Sequence, residues 1–424
     1  MTAIGLSQNP LQPLGHGAVT SANPSPPEPA STPWGLVVLL GLLTAMGPLA
    51  IDMYLPSLPA IGAALKAAPS ETQATVATFL AGMALGQVVY GPASDRMGRR
   101  GPILFGVGLF VLASVSCAMA QTVDQLLLGR FVQALGACAG VVVVRAVVRD
   151  QFNHTDTARI LSLMMLIMGV APVLAPILGG VLLGLGDWSW NFWFMAAFGA
   201  VLGAAIFLRL KESRSEATAI QASRENPLQS YLAVLGKRRL VGYVLAGALN
   251  GAVLMTYVAS SPQLMMGTYG VPVAAFSFLF SLNAVAIIGS SQLNRYALRH
   301  ATTDQVLSRA SSVSLVIGGV LVLAAVTGVG GPWTVLPLLF ALLGSYGFIG
   351  GNTTAGALSV DPLRTGATSA LLGAASFGAG ALASSLTGLL HDGTARPMAL
   401  VMLGAMIGST LALRLLALPK APVP

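Results

Sequence analysis

Between Pro33 and Leu55 the chain reads PWGLVVLLGLLTAMGPLAIDMYL, an apolar run interrupted by a single charge, Asp52. A bilayer core of ~30 Å needs ~20 such residues in a helix. Comparable runs recur near 72–94, 101–121, 125–148, 158–184 and 190–209, and again near 240–264, 273–293, 306–328, 332–353, 364–389 and 396–417. Backbone polar groups in hydrocarbon must be satisfied inside a helix or a closed barrel, and runs of this length select the helix. The fold class that follows is an all-α membrane protein with twelve transmembrane helices. Only 8% of the residues are charged, against about 25% in a soluble domain, which excludes a water-soluble protein.

The spans fall into two blocks of six, the layout of a transporter built from related halves. An N-terminal half is expected over 34–209, a cytoplasmic linker over 210–239 and a C-terminal half over 240–417. Residues 1–33, rich in Pro, Ser, Ala and Gly, read as a disordered tail. They are not a signal peptide, because no basic start precedes an apolar stretch. Residues 418–424 make a second short tail. With the N-terminus inside, one face collects nearly all the Lys and Arg, from Arg96, Arg99 and Arg100 through the linker to Arg414 and Lys420, while the other holds only Lys66 and Arg396. That bias expects both termini in the cytoplasm. It also assigns the net charge of +8 to topology and not to nucleic acid. The linker, RLKESRSEATAIQASRENPLQSYLAVLGKRR, mixes both signs and is expected to hold a surface helix or to act as a plain connector.

Enzyme chemistry finds no support. His16, His154, His300 and His391 lie in tails or loops, and no phosphate-cradling Gly-x4-Gly-Lys-Ser/Thr segment occurs. Cys117 and Cys138 sit in apolar runs without metal-ligand spacing. No metal and no cofactor are expected.

Asp52 is the informative charge. An ionised carboxylate near the bilayer centre costs roughly 2.5–3.5 kcal/mol even on the lenient insertion scale. Such a group is tolerated where it faces a polar cavity, finds a partner or binds a proton. Arg130, in LLLGRFVQALGACAG, lies a turn or two inside the fourth span, at a depth comparable to Asp52. The two are expected to pair, as a proton-coupling pair or as a purely structural lock.

Between the second and third spans stands GPASDRMGRRGPIL, with Gly91, Asp95, Arg96, Gly98, Arg99 and Arg100. Gly91 and Gly98 suit close helix approach and a tight turn, and Asp95 suits bonding to Arg or a helix N-terminus. This loop resembles the signature loop of the major facilitator superfamily. Arg130, Gln133 and Gly136 resemble the fourth-span Arg-x2-Gln-x2-Gly pattern of its twelve-span drug/proton antiporters. APVLAPILGG, with Pro172, Pro176, Gly179 and Gly180, resembles their fifth-span antiporter motif, Ala171 and Ala175 replacing glycines. IDMYLPSLPAI, YVASSPQLM and FSFLFSLN are similar to the bicyclomycin- and chloramphenicol-resistance group. Some drug antiporters carry a second acid two turns before Asp52, where this chain has Thr44. Residues 289–299, GSSQLNRYALR, echo the first loop, with Asn294 in the place of an acid.

The resemblance implies alternating access, with the Gly91–Arg100 loop as a conformational gate and Asp52 and Arg130 in proton coupling. Polar groups expected at the cavity are Tyr54, Gln133, Asn250, Tyr257, Ser261 and Asn283, beside an apolar wall of Met255, Phe276 and Phe280. Each could instead be satisfied by helix packing. The function expected is proton-coupled efflux of small amphipathic drugs from a bacterial inner membrane, by a monomer in the lipid bilayer. Transport of an amino-acid-like or other small metabolite is the alternative.

Overall fold

The computed structural model describes residues 34–152, 154–216, 218–220 and 226–418. The N-terminal tail, residues 419–424 and linker positions 217 and 221–225 lie outside the described residues. Among the described residues the regular elements are all helical, and twelve spans are long and apolar enough to cross a membrane. The first span joins α1 (Trp34–Asp52), a 3₁₀ turn (Leu55–Ser57) and α2 (Leu58–Leu65). Then come α3 (Pro69–Met97), α4 (Arg100–Ala118), α5 (Val123–Gln151), α6 (His154–Leu185) and α7 (Ser189–Arg209). The expected linker helix is α8 (Pro227–Leu235), started by Pro227 and by Asn226 Oδ1, which accepts from Leu228 N at 3.0 Å. The last six spans are α9 (Arg238–Pro262) with a π turn over Gln263–Thr268, α10 (Val273–Ala297), α11 (Thr303–Thr327), α12 (Pro332–Val360), α13 (Thr365–Leu389) and α14 (Arg396–Ala412) with a π turn over Leu413–Ala417.

The spans agree with the sequence expectation to within a few residues, except that the tenth runs past 353 to Val360 and the first, an apolar run read to Leu55, continues to Leu65 across a break. Proline explains the break. Pro56 has no N–H for the carbonyl of Asp52, four residues earlier, so α1 ends at Asp52. The chain makes a tight turn, with Ser57 N donating to Tyr54 O at 2.9 Å, before α2 restarts. All five residues of the break, Met53 to Ser57, are buried.

Two glycines bring neighbouring helices onto the first span. A Cβ on Gly140 of α5 would lie 2.4 Å from the Leu43 carbonyl oxygen. One on Gly179 of α6 would lie 1.6 Å from the Met53 carbonyl oxygen, inside the break. Only a residue without a side chain fits there, the small-residue packing that lets membrane helices touch backbone to backbone. Gly91 differs from the expectation: a Cβ there would meet nothing within 4 Å, so no close packing requires it.

The contrast gives a test. Gly179→Ala should lower the folded yield and destabilise the protein by about 1–3 kcal/mol or more, the cost of overpacking. Gly91→Ala should be neutral or gain up to about 1 kcal/mol of helix propensity. Thermal unfolding in detergent, followed by size-exclusion recovery, separates the two outcomes.

Candidate functional site: the first-span break and its surroundings

Asp52 ends α1 in a buried position, 5% exposed. It lies within electrostatic reach of Tyr257 on α9. The Tyr257 hydroxyl accepts a hydrogen bond from Asn283 Nδ2 of α10 at 2.8 Å, and its ring stacks on Phe280 at 5.4 Å. Phe276 packs against Phe280 at 5.8 Å, and both are buried. The structure thus gathers Asp52, Tyr257, Phe276, Phe280 and Asn283 where the first span meets α9 and α10. Ser261 Oγ sits beside the Tyr257 hydroxyl without a bonding geometry. Asn283 Oδ1 is likewise unbonded, as is Asn250 Nδ2, about two turns away along α9. Buried polar atoms without partners are uncommon, and two of them, on Ser261 and Asn283, belong to residues beside the Tyr257 hydroxyl.

Arg130 is elsewhere. Among the described residues no ion pair joins it to Asp52, which corrects the expected pairing. Similar depth along the bilayer does not fix which way a side chain faces around its helix. Arg130 is fully buried, with its guanidinium carbon 4.1 Å from the Tyr54 ring centroid and 4.2 Å from that of Phe79. Phe192 of α7 lies at 5.8 Å. Arg130 Nη1 donates to Gln133 Oε1 at 2.5 Å, and Gln133 Nε2 donates to Ser114 Oγ at 2.8 Å. Desolvated cation–π contacts contribute ~2 kcal/mol or more, so the aromatic faces offset part of the burial of this charge. Tyr54 and Gln133, expected beside the cavity, therefore join Arg130 within the first six spans. The Tyr54 hydroxyl also shares a hydrogen bond with Thr75 Oγ1 at 3.0 Å. Thr44, in the place of a second acid, only donates back to Leu40 O at 2.9 Å.

The antiporter-motif residues link α6 to its neighbours. Gly179 receives the break, and its carbonyl accepts from Asn191 Nδ2 at 3.4 Å, the same group that donates to Ser57 Oγ at 2.8 Å. Ser277 of α10 donates to Pro176 O at 3.0 Å and Ser281 donates to Val173 O at 2.6 Å. A Cβ on Gly180 would lie 3.1 Å from Ser277 Oγ. Pro172 lies one turn before Pro176 within α6. Gln73 Nε2 of α3 donates to Ser260 Oγ at 2.8 Å and to Ser384 O at 3.2 Å. These bonds join the first six spans to the last six, those of Gln73 near the ends remote from the Gly91–Arg100 loop.

In that loop Arg99 is the hub. It is 3% exposed and pairs with Asp95, with Asp150 through Nε at 2.8 Å, and with Ser94 Oγ at 3.0 Å. Gly98 has φ +93°, a conformation suited to glycine, and a Cβ there would meet the Glu212 carboxylate at 2.5 Å. Glu212 is the residue that sequence reasoning missed. It accepts the amides of Arg99 (2.8 Å) and Arg100 (3.1 Å) at the start of α4, and those of Ser213 (3.0 Å) and Arg214 (2.9 Å). Arg214 in turn donates to the carbonyls of Asp95 and Arg96 at the end of α3, and Arg100 Nη2 donates to Phe207 O at 2.7 Å. The linker thereby caps one helix with an acid and the preceding one with a base, matching both dipoles. The signal lay in the sequence as a lone KESR segment directly after the sixth span. Burial works against the Glu212 charge, but the four amides hold its carboxyl below the usual carboxylate range. In the second half Asp361 is held low in the same way by the bond from Lys237, against burial and helped by Arg364. Asn294 pairs with Asn352, whose Nδ2 donates to Asn294 Oδ1 at 2.9 Å, a neutral contact where the first loop uses charges.

A twelve-span helical bundle with this loop defines a membrane transporter. The profile of the Major Facilitator Superfamily matches residues 40–388, and the chain belongs to that family. Its relatives include the MFS-type transporter YdgK of Bacillus subtilis, 36% identical over 88% of this chain and 93% of the relative. The bicyclomycin resistance protein homolog of Haemophilus influenzae is 29% identical over 89% of this chain and 94% of its own. The multidrug resistance protein MdtL of Shewanella oneidensis is 32% identical over the same shares. Two of these relatives are thus named for resistance to bicyclomycin or to multiple drugs. A crystal structure of a D-xylose–proton symporter superimposes with a TM-score of 0.69, covering 90% of this chain and 96% of that one at 13% identity, a likeness of fold alone.

The linker cap generates a prediction. A carboxyl held below its unfolded value stabilises the fold above that value and loses its contribution as pH falls through the depressed one. Amide exchange at 99–100 and 213–214, corrected for intrinsic rate, should therefore stay slow at neutral pH and quicken well below pH ~4, the ordinary Glu range. In Glu212→Ala it should be fast at every pH. Unchanged protection in that variant would show that the cap does not order the loop.

Proposed function

We propose that the protein is a proton-coupled exporter of small amphipathic drugs, acting as a monomer in a bacterial inner membrane. The face that carries the Gly91–Arg100 loop and both termini is cytoplasmic in this reading, on the Lys and Arg bias. The observation that carries the reading is Asp52: a buried acid at a helix break, within electrostatic reach of Tyr257 of the last six spans. Protonated, it is neutral and suits a dry contact; ionised, it needs water or a cationic ligand. Proton and cargo that favour opposite states of one conformational equilibrium are exchanged for one another.

The wall of Phe276, Phe280 and Tyr257 supports amphipathic cargo, because apolar surfaces accept varied shapes; Met255, expected in the same wall, packs instead against Gly380 of α13. Unbonded Asn283 Oδ1, Asn250 Nδ2 and Ser261 Oγ supply the few orienting polar groups such sites use. A zwitterionic metabolite would call for a cation beside Asp52, and Arg130 is held in its aromatic cage instead. The names of the bicyclomycin- and multidrug-resistance relatives favour the same cargo class. One proton entering down ~100 mV yields ~2.3 kcal/mol, and one pH unit adds ~1.4 kcal/mol. Together these sustain a gradient of a few hundredfold for a neutral solute.

In this mechanism the N-terminal half (34–209) and the C-terminal half (240–417) rock about the Asp52 region. The Gln73, Ser277 and Ser281 bonds are then remade in the opposite state, and the Arg99–Glu212 cluster keeps the cytoplasmic end of its half rigid. Asp52→Asn is the test. In proteoliposomes the variant should lose proton-gradient-driven chloramphenicol accumulation by at least about tenfold (~1.4 kcal/mol per factor of ten) while retaining gradient-free exchange. Gradient-driven accumulation at the wild-type level would refute the assignment.

A further inference from the structure

A groove of about 530 Å³ opens on the flank of the last six spans, between α11 and α12 and below the end of α10. It is independent of the Asp52 region. Its length is set by Val306 to Ile317 on α11, roughly 16 Å at ~1.5 Å per residue, about half of a ~30 Å hydrocarbon core. The walls are apolar: Val313, Ile317, Ala341 and Phe348, with Gly344 opening space, since a Cβ there would meet nothing within 4 Å. Its one hydroxyl, Ser345, is already satisfied, accepting from Ser314 Oγ at 2.7 Å and donating to Leu342 O at 2.6 Å. The interior thus offers no free polar group, which suits a hydrocarbon chain.

The mouth has the opposite character. Arg309 and His300 line it, and Arg299 adjoins His300. Arg309 and Arg299 are exposed, and their side chains have no hydrogen bond or ion pair among the described residues. The nearby acid, Asp304, is taken: Tyr243 donates to it at 2.7 Å and Arg239 at 3.2 Å. This mouth lies at the helix ends, the level of lipid headgroups. An apolar slot most of a leaflet deep with free cations at its rim is complementary to an anionic amphiphile.

We propose that this groove binds a phospholipid with an anionic headgroup, drawn from the leaflet on the loop-bearing face, one acyl chain lying along α11 and the phosphate at Arg309. A basic side chain at a membrane surface contributes ~1 kcal/mol toward an anionic lipid, about fivefold in affinity. Lipid of this kind would brace α11 against α12 from outside.

The test uses the full chain in vesicles. Phe348→Trp places a reporter on the groove wall, and its fluorescence, taken as the difference from the parent protein, is quenched by brominated phosphatidylglycerol or brominated phosphatidylcholine. Phosphatidylglycerol should win by about fivefold, and the preference should shrink at high salt. Adding Arg309→Gln should bring the ratio to about one, whereas Gly344→Leu, which fills the slot, should reduce quenching by both lipids. Equal quenching by the two lipids in the reporter protein overturns the proposal, as does a preference that survives Arg309→Gln. Competition by inorganic phosphate alone would point to a free-anion site and would overturn it too.

Discussion

Backbone polar groups within a bilayer must find partners inside the protein, so a membrane helix that stops before its end makes demands on everything packed around it. The first span stops at Asp52 because Pro56 cannot donate to its carbonyl. The Met53 carbonyl that follows touches α6 at Gly179, where any side chain would collide. Asn191 then ties Ser57 of the break to the Gly179 carbonyl. The antiporter motif in α6 and the acid in α1 are therefore one structural unit. Small residues in the motif admit the break, and the break places the acid.

That unit separates two charges which the sequence invites one to pair. Asp52 faces Tyr257 and the last six spans. Arg130 faces inward among Tyr54, Phe79 and Phe192, bonded to Gln133. Tyr54, two residues beyond Asp52, is the physical link between them. The arginine's contact with the first span is therefore with the aromatic ring of the break and not with the acid. On the loop-bearing face the charges serve a different end. Arg99, Asp95, Asp150 and Glu212 form a compact cluster that fastens the ends of α3, α4 and α5 together.

The twelve spans, the family and the isolation of Asp52 were legible because they depend on run length, motif order and charge rarity. Those features survive projection onto one dimension. The Asp52–Arg130 pairing was not, because depth along a span is readable and azimuth around it is not until packing fixes the helix rotation. The break was readable in principle, since Pro56 lies four residues after Asp52, but an apolar run looks the same with or without it. Glu212 escaped because a linker acid acquires meaning only when the chain folds back to cap α4. The motif position of Gly91 suggests a packing role, and the space around it shows that this role belongs to Gly140 and Gly179.

In the proposed mechanism Asp52 trades its proton for cargo. Infrared difference spectroscopy of the purified protein on adding chloramphenicol reads this directly through the carbonyl band of a protonated carboxylic acid. Cargo binding should remove such a band in the parent protein, and the change should be missing in Asp52→Asn. An identical carboxyl change in both proteins, or none in the parent, would contradict it.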